Sequence, residues 1–249
     1  MKQHPAMRFA YLAAAIIAAT ALSDCGGRQA DMSIQVSFGE KTVIRQANDV
    51  NRAIAALKRK TVEQPSDPAP FQEIASLSLG KGNVEETIVN AQEAVRLKPN
   101  LTEGYVLLGQ AWFEKENYTL AKDYFIRALE LDEKNPGAHF GLANCLYAAK
   151  DLAGAAEEYR ATLETDPANI RALNNLGGLL LQKGDAAGAL KYFRKVVELA
   201  PDAVPEVYIN EGIACEKTGD RAGAVRSYEN YLKYDPSNGS VKRWLEALR

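Results

Sequence analysis

Few residues of this 249-residue chain could do covalent or acid–base chemistry, and they are poorly arranged for it. Beyond the first 25 residues there is one histidine, His139, and two cysteines, Cys145 and Cys215. A hydrolytic or transfer site needs a nucleophile beside a base, and no such pairing arises around His139. Cys145 and Cys215 form no C-x-x-C pair and have no adjacent basic residue to lower a thiol pKa, so they read as buried free thiols. Paired acids at Glu85-Glu86 and Glu157-Glu158 have the look of solvated helix faces, and no His/Cys/Asp/Glu group has metal-ligand spacing. Gly26-Gly27 and Gly177-Gly178 lack the strand-to-helix setting of a phosphate loop. The expectation is a chain with no catalytic site, no metal and no cofactor. The chemistry left to it is binding.

The elements that would carry binding are set by a period of 34 residues, running from Pro68 to Asn238 in units 68–101, 102–135, 136–169, 170–203 and 205–238. Position 8 of each unit is small (Ala75, Gly109, Ala143, Gly177, Gly212), and so is position 20 in four of the five (Ala121, Ala155, Ala189, Ala224, against Thr87). Position 24 is aromatic in four (Phe125, Tyr159, Phe193, Tyr228), and Pro or Glu stands near position 32. Small residues suit the crossing of two helices, where a longer side chain would push the backbones apart. Turn residues at Gly82-Asn83, Asn117, Lys150-Asp151, Gly184-Asp185 and Gly219-Asp220 separate the helices of each unit, with Asn or Asp placed to cap the second.

This pattern resembles the tetratricopeptide repeat (TPR), best at Tyr105, Leu108-Gly109, Trp112, Ala121, Phe125 and Ala128. The resemblance implies an all-α fold: a right-handed α-solenoid of five helix pairs with N- and C-terminal capping helices. It places a concave binding face at positions 2, 5, 9 and 12 of the first helices. Those positions hold Val106, Gln110, Phe113, Phe140, Asn144, Tyr147, Arg171, Asn174, Leu181 and Ile209. Rings there can anchor a peptide or helix in desolvated pockets while amides bond its backbone. The repeats that clamp the C-terminal carboxylate of heat-shock chaperones require cations where this chain has Phe140, Glu206 and Asn210, so that subtype is not expected.

The ends read differently. Lys2 and Arg8 precede an apolar run from Phe9 to Leu22, short for a membrane span, so residues 1–24 read as an export signal. Leu22-Ser23-Asp24-Cys25 resembles a bacterial lipobox, which implies lipidation of Cys25 and outer-membrane anchoring, although Asp24 departs from the small residue usual there. The rival is cleavage after Ala19-Thr20-Ala21, releasing a soluble periplasmic protein. Residues 25–47 form a tether and an arm, extended or in a short hairpin around Gly39-Glu40. Residues 48–67 are expected to be a capping helix or degenerate half-repeat with Ala53 and Leu57 at its inner positions. Residues 239–249 read as a C-terminal capping helix with Trp244, Leu245 and Leu248 inward.

Composition agrees with a globular scaffold: 47% hydrophobic, 25% charged and a net charge of −2, with no basic face for nucleic acid. The expectation is a non-enzymatic protein–protein interaction scaffold of the bacterial cell envelope, without a small-molecule substrate. Its partners would be an envelope protein, through the groove, and the membrane, through the lipidated N-terminus. The stretch Ala172-Leu173-Asn174-Asn175-Leu176-Gly177 and the extra residue near Val204 resemble lipoproteins that pilot secretin assembly in type IV pilus biogenesis. A soluble periplasmic adaptor or co-chaperone, or an accessory subunit of a polysaccharide-export or protein-sorting system, are the alternatives.

Overall fold

A computed structural model describes residues 49–202 and 204–249. The export signal, Cys25 and the 25–47 arm lie outside them. Twelve helices and no strand occur among the described residues. The first, α1, spans 49–63. Five pairs follow: α2 (Pro68–Gly80) with α3 (Val84–Leu97), α4 (Thr102–Glu114) with α5 (Tyr118–Leu131), and α6 (Pro136–Ala148) with α7 (Leu152–Thr165). Then come α8 (Ile170–Gln182) with α9 (Ala186–Leu199), α10 (Val207–Lys217) with α11 (Arg221–Tyr231), and a last helix, α12 (Gly239–Ala247). Contacts divide the described residues into two compact units, 49–99 and 100–249.

Turn chemistry makes the pairs. Gly82, Gly184 and Gly219 adopt φ values of +73°, +88° and +80°, the left-handed geometry that glycine enters without a Cβ clash. Where the repeat has no glycine, Glu116 and Lys150 take the same geometry at +61° and +67°. The next residue then caps the second helix: the side chains of Asn83, Asn117, Asp151, Asp185 and Asp220 each accept a hydrogen bond from the backbone N–H three residues on.

Within residues 100–249 the four pairs form an α-solenoid, each second helix packing on its own first helix and on the first helix of the next pair. The first helices α4 and α6 also touch, as do α8 and α10. One contact recurs at the pair crossings. The rings of Phe125, Phe193 and Tyr228, each 1% exposed or less, lie on the glycines at position 8 of their own pairs. A Cβ on Gly109, Gly177 or Gly212 would fall 2.7, 2.6 and 2.3 Å from those rings. The glycines therefore make room for an aromatic ring rather than for close backbone approach alone. Phe125 also reaches the following pair, where a Cβ on Gly141 would lie 2.2 Å from it.

In residues 49–99, α1 lays Ile54 and Leu57 against Ile74 of α2. Ala53, expected to face inward, is exposed, because no preceding first helix among the described residues covers that side. Polar contacts complete the docking: Lys58 Nζ lies 2.7 Å from Glu86 Oε1, while Ser78 Oγ and Asn83 Nδ2 donate to Glu86 Oε2 at 2.8 and 3.0 Å. Glu86 is thus a junction of three elements, not the freely solvated acid its pairing with Glu85 suggested. At the other end Val241 and Leu245 of α12 are buried in the C-terminal core with Tyr228 and Tyr231. Trp244, expected inward, is 41% exposed and tilts one face onto Tyr228 at 5.7 Å. No helix among the described residues is long and apolar enough to cross a membrane.

Candidate interaction cleft

The first helices α4, α6, α8 and α10, joined by two residues of the second helices, line a cleft of about 490 Å³. Its aromatic surface comes from Phe113 of α4, Tyr118 at the start of α5 and Tyr147 of α6. Phe113 and Tyr118 tilt against each other at 5.1 Å, and Tyr118 and Tyr147 are 38% and 45% exposed, so both present ring area to solvent. The polar surface is amide: Asn144 of α6, Asn174, Asn175 and Gln182 of α8, and Asn210 of α10. No charged side chain lines it. Two other clefts differ on this point: one of about 370 Å³ holds Arg160, Glu164, Lys191 and Lys195, and one of about 480 Å³ holds Glu133, Lys134, His139 and Glu164.

A hydroxyl organises the amides. The Tyr159 ring is buried, and its hydroxyl emerges between α6 and α8, donating to Asn144 Oδ1 at 2.6 Å and accepting from Asn175 Nδ2 at 3.0 Å. Burial pushes this phenol up to about 12, so it remains a neutral donor at every physiological pH. Beside it, Asn174 Oδ1 is buried with no hydrogen-bond partner. Buried acceptors are nearly always satisfied, and a ligand N–H is one way to satisfy this one.

Gly178, also in the lining, has open space where its side chain would be: a Cβ there meets nothing within 4 Å. The absent side chain leaves the backbone of α8 flush with the cleft wall. In contrast to Gly177, one residue earlier, this glycine does no packing.

Of the residues proposed from the repeat register, Phe113, Asn144, Tyr147 and Asn174 meet in this cleft. Val106 does not: it is 2% exposed and packs in a core cluster with Ala138 and Leu142, so it is corrected to a core residue. Its position turns toward the neighbouring first helix, where apolar burial outweighs exposure to the groove. Phe140 packs on the Tyr159 ring at 5.7 Å and is covered by the Arg171 guanidinium at 4.7 Å, while Leu181 and Ile209 pack on the C-terminal core. Gln110 is half-buried on α4. The positions assigned to the face do not include Tyr118, Tyr159, Asn175, Gln182 or Asn210, whereas Gly178 stands at position 9 of its unit, which is one of them. Asn175 and Asn210 share position 6 of their units, one place beyond the position assigned to the face, and that repeated amide was the signal available.

His139 is partly buried, as a histidine at an aromatic repeat position should be, with Nδ1 2.6 Å from Glu158 Oε2 and Nε2 2.9 Å from the Glu133 carbonyl. It ties α7 to the turn before α6. Cys145 and Cys215 are buried free thiols, and burial pushes Cys145 up to about 12 and raises Cys215. Among the described residues no group of acidic, histidine and cysteine side chains could hold a metal ion.

Residues 43–207 match the family described as the cytochrome c-type biogenesis protein H TPR domain, and residues 205–238 match the tetratricopeptide repeat. No curated protein sequence matches. Among solved structures, PilW, described as a widely conserved type IV pilus biogenesis factor, is similar with a TM-score of 0.68 at 15% identity, over 88% of this chain and 100% of that one. YrrB, described as a TPR protein with an unusual peptide-binding site, has a TM-score of 0.61 at 21% identity, over 77% of this chain and 98% of that one. PilF of Pseudomonas aeruginosa has a TM-score of 0.62 at 21% identity, over 67% of this chain and 76% of that one. At these identities the likeness is one of fold.

Proposed function

Because this chain belongs to the tetratricopeptide-repeat family described as the cytochrome c-type biogenesis protein H TPR domain, we propose that it is a non-enzymatic scaffold of the bacterial cell envelope. It holds a segment of a partner protein in the first-helix cleft and assists assembly or positioning of an envelope complex. One observation carries this reading: the exposed rings of Tyr118 and Tyr147 and the amide side chains of Asn144, Asn174, Asn175, Gln182 and Asn210 converge in a cleft whose lining residues are all uncharged. Such a surface gains free energy by covering Tyr118 and Tyr147 and by bonding a backbone, and has no group to transfer a proton or an acyl chain.

The envelope setting rests on the leader and on Cys25 as an acylation site, with Gly26 rather than Asp after it, which favours the outer membrane in proteobacterial lipoproteins. Type IV pilus or secretin assembly is the subtype favoured by the Asn174-Asn175 stretch and by the fold likeness to PilW. Asp24 and the Ala19-Thr20-Ala21 site favour a second reading, a soluble periplasmic adaptor. Mass analysis of the mature N-terminus separates the two, since a diacylated Cys25 excludes the soluble form.

The functional test is affinity purification from gently solubilised envelopes with wild type and with Phe113→Ala/Tyr147→Ala. Recovery of an outer-membrane assembly component by wild type alone is the expected result. Equal recovery by both proteins would move the interface off the cleft.

A further inference from the structure

We infer that the cleft between α7 and α9, among the second helices of the solenoid, is a further docking site, and that it takes an acidic segment of a partner protein with an apolar side chain among its carboxylates. It stands independently of the first-helix cleft.

This cleft of about 370 Å³ is lined by Arg160 and Glu164 of α7, by Lys191 and Lys195 of α9, and by an apolar group of Leu163, Leu173 and Tyr192. Leu173 is buried, and Leu163 and Tyr192 are partly buried against the same core cluster. Three cations and one acid thus surround an apolar base. None of the three cations makes an ion pair or a side-chain hydrogen bond with another described residue. Arg194, next to Lys195 in sequence, gives the contrast: its guanidinium lies 3.9 Å from Glu211 and 3.5 Å from Asp220.

The repeat does not demand this arrangement. Arg160 stands at position 25 of its unit, and Lys191 and Lys195 at positions 22 and 26 of the next. At the same positions the junction of α5 with α7 has Ile126, Glu157 and Ala161, and that of α9 with α11 has Arg194, Arg226 and Asn230. Stacked pairs use equivalent surfaces, so a solenoid builds this junction equally well without three cations. Gathering them in a recess raises the local positive potential, which an anionic ligand relieves.

The kind of anion follows from how the charge is presented. A single compact phosphate is best held by the free N–H groups of a helix N-terminus, and the charged lining here comes from helix interiors, where those groups are spent on the helix. The cations are side chains on two helices, one on α7 and two a turn apart on α9, which suits carboxylates spaced along a chain. A bilayer surface is too flat to enter a recess between helices. An apolar side chain can enter it and cover Leu163 and Tyr192.

The experiment uses the full chain at low salt and fluorescent N-acetylated, C-amidated peptides with leucine or phenylalanine at the centre of a run of glutamates. Matched peptides carry glutamine for glutamate, or serine at the centre. The acidic apolar peptides should bind, less tightly as ionic strength rises, and both matched kinds should bind more weakly. Arg160→Gln/Lys191→Gln/Lys195→Gln should weaken binding by about tenfold with helix content by circular dichroism unchanged, since all three residues are exposed. Arg59→Gln/Lys60→Gln/Lys242→Gln, which removes the same charge elsewhere, should bind as wild type does, and so should Phe113→Ala/Tyr147→Ala. Undiminished binding by the cleft variant, or equal weakening by the distant one, would overturn the inference. Weakening by Phe113→Ala/Tyr147→Ala would place the peptides in the first-helix cleft and overturn it too, while leaving that groove reading intact. Equal binding of the glutamine or serine peptides, preference for inorganic phosphate or for phosphatidylglycerol vesicles, or no binding at all would each overturn it. If the triple cleft variant loses its fold, Lys191→Gln/Lys195→Gln decides by the same comparison.

Discussion

Two adjacent glycines in α8 show how far residue identity can mislead without its surroundings. Gly177 lies under the Phe193 ring, and a Cβ there would fall 2.6 Å from it, whereas a Cβ on Gly178 meets nothing within 4 Å. Gly177→Leu should therefore overpack the crossing and cost about 1 to 3 kcal/mol or more. Gly178→Ala should be neutral or stabilise α8 by about 0.5 to 1 kcal/mol, since alanine loses less backbone freedom in a helix. Urea denaturation of the two variants against wild type checks both, and similar midpoints for the pair would refute the register of rings on glycines. The same contrast separates Asn144 from Val106: both were assigned to the binding face, yet Asn144 lines the cleft and Val106 is in the core.

At the scale of elements, one carboxylate supplements the apolar docking of α1 through Ile54 and Leu57. Glu86 is held below its ordinary range first by the hydrogen bond with Lys58 and then by Ser78, with burial opposing. A carboxyl group whose folded pKa is depressed contributes stability above its unfolded pKa, about 4.3, and loses it as pH falls through the lower folded value. The attachment of α1 should accordingly be intact at neutral pH and weaken below about pH 4. Hydrogen exchange of residues 49–63 should accelerate over that range ahead of α8 and α9, and Glu86→Gln should show faster exchange there already at pH 7 with little further acid dependence. Exchange in α1 that tracks the rest of the chain would argue against the junction. The effect is modest because Lys58 is 58% exposed and water screens the pair.

At the scale of the molecule, the solenoid of residues 100–249 is held by neighbour contacts, so its stability is local. Helix α12 covers the last pair through Val241 and Leu245, which share a cluster with Tyr228 and Tyr231. A chain ending at residue 238 should leave that apolar surface open. Exchange should rise strongly in α10 and α11 and little in α4 to α7, with a lower melting temperature overall. Uniform acceleration from α4 to α11 would mean that the unit unfolds as one block and that α12 is no cap.

Much of this architecture was legible in the amino-acid order, because a repeated fold writes each contact several times. Small residues at positions 8 and 20, rings at 24 and Asn or Asp before each second helix answer to local geometry, so the helix pairs, their turns and their caps followed from the period alone. What lay beyond the sequence was direction. Whether Val106 faces a ligand or a neighbouring helix, and whether Trp244 turns in or out, depends on how far each helix is rotated against the next. A helical step of 100° per residue turns a one-place error in register into a different face. The cleft is the clearest case. Tyr159 reads as a core ring in the repeat, and its hydroxyl reaches the cleft only because packing sets that ring between Asn144 and Asn175, two residues from different helix pairs that share no local sequence relation.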